Sequence, residues 1–137
     1  MALAFVVTLE REIPESAAYA KGKTGKALAR ESNKLDSVAR RKSVEPMSGM
    51  LSESQAALRA QLEADGFDPS KMRLPPEQWF EAQQGLKTVR ALAEYVGANL
   101  NDFKQPNPIL RDLKAAEALF TAAAAAAVKF HFSSVDL

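Results

Sequence analysis

Two strand-like segments, at residues 3–9 and 128–132, bracket a long stretch that reads almost entirely as helix and loop. In the first, Leu3, Phe5, Val7 and Leu9 share one face and Ala4, Val6 and Thr8 the other. Alternation of this kind over β-forming side chains predicts a strand. Both of its faces are mostly apolar, so it is expected to be paired and covered on at least one side, and Pro14 stops any extension of it. In the second segment Val128, Phe130 and Phe132 alternate with Lys129 and His131. The pattern predicts a strand with one face on a core and the other in water. A sheet this small is marginal in water unless something packs on it. The expected fold class is therefore α+β: a small sheet of two or three strands, the N- and C-terminal strands paired, covered by a layer of about four helices. One domain over residues 1–137 suits the length.

The interior supplies the helices. Residues 15–25, with Gly22 and Gly25, read as a loop. From Thr24 to about Lys42, Leu28, Leu35 and Ala39 fall on one face and Lys26, Arg30, Lys34 and Arg41 on the opposite one. Val44 to Leu51 holds Pro46 and Gly49 and reads as a loop or a short irregular strand. Ser52 with Gln55 matches a capping box, opening a helix that carries Leu58 and Leu62 and stops at Asp65-Gly66. Pro69, Pro75 and Pro76 make residues 66–78 a loop. The clearest helical period follows from about Glu77: Leu86, Val89, Leu92, Ala93, Val96 and Leu100, with Gly85 placed to divide it. Asn107-Pro108 reads as the next helix start, and the alanines from Ala122 to Ala127 prolong that helix by propensity.

The census of reactive side chains narrows the chemistry. The sequence has no cysteine, which excludes disulfides, thiolate nucleophiles and Cys-based zinc sites. Its single histidine, His131, excludes a two-histidine metal site within one chain. We therefore expect no metal and no cofactor. The apolar start lacks a basic leader and a cleavage site, so it is not read as a signal peptide. No run approaches the roughly 18 apolar residues of a membrane span, and the expectation is a cytoplasmic protein with no membrane partner. The segment Gly22-Lys-Thr-Gly-Lys26 looks like a phosphate-binding loop, but Ala20 and Ala27 stand where that motif needs glycine and a hydroxyl residue.

Three places are candidates for function. Residues 21–42 carry a net charge of +6 against −5 for the rest of the chain, making Lys26, Arg30, Lys34 and Arg41 a candidate basic patch for nucleic acid. No aromatic residue is interleaved for base stacking, so a solvated face or a docking surface is the plainer reading. His131 is a candidate acid/base group on a half-exposed strand, if a distant carboxylate approaches it. Between Phe67 and Phe80, Met72, Trp79 and Phe80 either fold back as a satellite core or anchor a partner. The leading expectation is a non-catalytic binding or regulatory domain acting by protein–protein contact, with itself as a homodimer or with another protein. A nucleic-acid-associated protein using 21–42 is the first alternative, and a small enzyme with a pocket near His131 the second.

Overall fold

The computed structural model describes residues 3–53 and 55–136. The elements run β1 (Leu3–Leu9), α1 (Pro14–Lys21), α2 (Lys26–Arg30), α3 (Ser32–Arg41), α4 (Gln55–Ala64), α5 (Ala82–Ala98), α6 (Pro106–Ala125) and β2 (Phe130–Asp136). Single 3-10 turns lie at Met47–Met50, Pro69–Lys71 and Leu100–Asp102. The two terminal strands pair antiparallel, with Val6 opposite Ser133, Val7 opposite Phe132 and Thr8 opposite His131. The layout is α+β, as the alternating ends imply, with six helices among the described residues where about four were expected.

The inward face of the sheet presents Phe5, Val7, Phe130 and Phe132 to the helices, and all four are buried. Phe120 of α6 meets Phe130 and Phe132 edge-on, with ring centroids 4.5 and 5.8 Å apart. Helices α5 and α6 form the most extensive helix pairing. The period read from the sequence faces the core as expected: Leu86, Val89, Leu92 and Val96 on α5, and Ile109, Leu113, Ala116 and Phe120 on α6, are all buried. Gly85 does not break α5. A β-carbon there would stand 2.6 Å from Phe130 Cζ and 2.7 Å from Phe120 Cζ, so glycine admits two aromatic rings against the helix.

Several boundaries differ from expectation, each for an identifiable reason. Residues 15–25 are mostly not a loop: Pro14 takes the first position of α1, and Ser16 Oγ accepts the Ile13 N–H. None of the eight residues of α1 is buried, so the helix carries no apolar stripe for sequence reading to find. The helix expected over 24–42 bends at Glu31 into α2 and α3. Over 44–51 the chain makes a 3-10 turn with Met47 and Met50 fully buried, and Leu51 adds one parallel bridge to Phe132. Ser52 does not cap α4; its Oγ accepts the N–H of Gln78 at 2.8 Å. Residues 77–80 are not helical, because Phe80 exchanges both backbone hydrogen bonds with Phe130, at 2.7 and 2.9 Å. That pairing delays α5 to Ala82. Pro106 rather than Pro108 is the first residue of α6. The helix stops without glycine, Ala127 turning left-handed at φ 55° while Val128 N–H bonds back to Ala123 O.

Candidate functional site

His131 does not face water. It is 1% exposed, because the segment that zips Phe80 onto β2 also lays Glu77 and Trp79 over the outer face of the sheet. The Trp79 ring covers the imidazole, with centroids 4.6 Å apart. The imidazole Nε2 lies 2.7 Å from Glu77 Oε2. On its other side Nδ1 is 3.1 Å from Phe132 O and 3.3 Å from Ser133 Oγ, and Ser133 Oγ is 2.8 Å from Thr8 Oγ1. A carboxylate does approach the histidine, across 54 residues of sequence.

Counting hydrogens limits what this chain of groups can do. With the proton on Nε2, it donates to Glu77, and Nδ1 accepts from Ser133, which in turn accepts from Thr8. With the proton on Nδ1, it points at Phe132 O, and Nε2 and the carboxylate face each other as two acceptors. The first arrangement sets Nδ1 and Phe132 O as two facing acceptors, bonds Glu77, His131, Ser133 and Thr8 in one chain, and leaves one open end, at Thr8. A hollow of about 280 Å³ beside it is lined by Thr8, Glu53, Glu77, His131, Ser133 and Ser134, among others. A molecule in that hollow meets hydroxyls, carboxylates and His131, over whose ring Trp79 lies. Among the described residues no group of three His, Asp or Glu side chains is arranged to hold a metal ion.

The basic residues are spread over two helices. Lys26 and Arg30 of α2 project into solvent. On α3, Lys34 donates to Asp102 O and lies over the Phe103 ring, 4.9 Å from its centroid. Arg41 lies over Tyr95, 5.3 Å from its centroid. Aromatic rings are thus near the patch in space though not in sequence, and each is already covered by a cation.

The third candidate divides. Trp79 and Phe80 are half-buried, Trp79 on His131 and Phe80 against Phe130 at 6.2 Å between centroids. Met72 is 45% exposed, and Phe67, which precedes it in the same loop, is 56% exposed. Leu58, Leu62, Met72, Leu74 and Pro75 line a further hollow. We call residues 53–80 the arm.

Sequence reading missed Glu77 and Thr8 as partners of His131. The pairing of the two end strands places Thr8 and Ser133 beside it once the register is known, whereas nothing local marks Glu77. No protein-family model, curated protein or solved structure matches the chain. No helix among the described residues is long and apolar enough to cross a membrane.

Proposed function

We propose that the chain is a cytoplasmic binding domain that works by protein–protein contact, with the arm as its contact element and a second copy of the chain as its partner. One observation carries the reading. From Glu53 to Phe80 no described residue is buried, although the stretch includes Leu58, Leu62, Phe67, Met72 and Leu74. Apolar side chains that a fold leaves near water gain by burial against another surface. Methionine at such a place adapts its shape to what it meets. Two copies related by a twofold axis lay arm against arm, and this is the commonest symmetry of assemblies.

The alternatives draw less support. Nucleic-acid binding asks for cations free to meet phosphate, and Lys34 and Arg41 are already placed over Phe103 and Tyr95. Catalysis at His131 has its carboxylate, but both ring nitrogens are engaged and the ring is capped.

Sedimentation equilibrium over a wide concentration range tests the proposal. The expected result is a dimer for the unmodified chain and a monomer for the double variant Phe67→Ser, Met72→Ser. Because both side chains are exposed, the variant should fold with a change within about 0.5 kcal/mol each. An unmodified chain that stays monomeric at every concentration, or a double variant that pairs as tightly, overturns it.

A further inference from the structure

Between α1 and β1 lies another cleft, of about 350 Å³. Its size falls in the range of small-molecule sites, roughly 300–1,000 Å³. It shares Thr8 and Val135 with the hollow beside His131 but is mainly apolar, with Val6, Leu9, Leu119 and Val135 among its walls. Four hydroxyl residues interrupt that lining: Thr8, which is bonded to Ser133, Ser16, which accepts the Ile13 N–H, and Tyr19 and Thr24.

Tyr19 and Thr24 have hydrogen-bonding capacity to spare. Thr24 is 6% exposed, and its Oγ1 has no hydrogen-bond partner. The Tyr19 oxygen accepts the Val7 N–H at 3.0 Å, and among the described residues its own O–H donates to no hydrogen-bond acceptor. The Thr24 hydroxyl lies beside the phenol and opposes the rise that burial imposes on it. Native folds rarely leave a buried hydroxyl alone, so an unpartnered one in the wall of a cleft marks where something else completes it.

The charges nearby select the kind of group. Asp112 is 1% exposed, and its negative charge acts on Tyr19, which disfavours an anionic head. At the walls Glu12 and Lys23 bring one charge of each sign. A neutral hydroxyl fits: it accepts from the Tyr19 O–H and donates to Thr24 Oγ1 while its apolar body lies against Val6 and Leu119. We propose that this cleft binds a small uncharged molecule with an apolar body and one hydroxyl group, of the class of aliphatic alcohols and simple phenols. The site is separate from the arm and stands whether or not the chain dimerises.

Amide chemical shifts of the full chain, followed while hexanol, para-ethylphenol or hexanoate is titrated in, test this. Hexanol and para-ethylphenol should give saturable shifts at Val7, Thr24 and Val135, and hexanoate should bind more weakly. Thr24→Val keeps the shape and removes the oxygen, so hexanol should bind about tenfold more weakly, with a melting temperature no lower than that of the unmodified chain. Ala20→Leu, an exposed position on the cleft wall, should abolish the shifts while leaving the fold intact. If hexanol gives no saturable shifts, water completes the two hydroxyls and the proposal falls. It falls equally if hexanoate binds as tightly as hexanol, or if Thr24→Val binds hexanol unchanged.

Discussion

Tyr19 reaches from α1 to the free edge of β1, where its oxygen takes the Val7 N–H that no strand is there to accept. Two residues earlier, the Phe5 N–H is taken by Gly25 O at 3.0 Å. A side chain and a turn thus satisfy the edge of the sheet, which leaves it a poor template for pairing. Gly25 is required here: its φ is 115°, and a β-carbon would stand 2.3 Å from Phe5 O. Burial, with Asp112 adding to it, holds the Tyr19 phenol above its ordinary pKa of 10.0. The consequence for stability has a definite sign. Below about pH 10 the phenol is protonated folded and unfolded alike, and nothing is lost. Above that value the unfolded chain ionises first, so the free energy of unfolding falls as pH rises through the folded value. Urea midpoints measured from neutral to strongly alkaline pH should decline in this window. The decline should be shallower in Tyr19→Phe, which also loses about 1–3 kcal/mol near neutrality by leaving the Val7 N–H without an acceptor. Equal slopes for the two proteins would contradict the assignment.

At the scale of elements, local pattern and tertiary demand agree in the core and part company at its margins. Leu86 to Val96 was legible because every third or fourth residue is both apolar and buried. The paired ends were legible for the same reason at a period of two. Helix α1 was not, since Tyr19 alone of its side chains packs on the core and only Pro14 marks its start. The extended course of 77–80 was not, since Phe80 is held by a backbone pairing with Phe130 that no local signal announces. Likewise the alternation of β2 correctly gave the core face of Phe130 and Phe132, but it gave no sign that Trp79 would cover His131. Two glycines of α5 separate propensity from packing. Gly97→Ala enters open space, so it should stabilise by roughly 0.5–1 kcal/mol through helix propensity. Gly85→Ala gains the same propensity but drives a methyl into the Phe120 and Phe130 rings. Overpacking of that kind costs about 1–3 kcal/mol. The obstructing atoms belong to fully buried or bridged aromatic rings, so the steric cost wins and the variant should unfold at lower denaturant. If Gly85→Ala proved as stable as Gly97→Ala, the close approach of the rings would be wrong.

For the molecule as a whole, burial is unevenly shared. Among the described residues everything buried lies in residues 3–50 and 82–132, while the arm between them packs on the core only at its end, through Phe80. The arm is held by a few discrete fastenings: Glu77 to His131, Ser52 to Gln78, and the Phe80–Phe130 pairing. Regions with few buried contacts open at lower free energy than the core, as units. Limited trypsin digestion should therefore cut first at Lys71 or Arg73, both exposed in the loop after α4. The two pieces should stay together, because β1 and β2 would fall on opposite sides of the cut and remain paired. Glu77→Ala removes the fastening to His131 and should cost the closed arm about 1–2 kcal/mol. Where opening is fast relative to cleavage, the cutting rate follows the open population, so the variant should be cut roughly five- to thirtyfold faster. Hydrogen exchange of the α5 and α6 amides should not change, because their packing does not pass through Glu77. Uniformly faster exchange across the core would show instead that the arm and the core open as one unit, and the division of the fold into two parts would have to be given up.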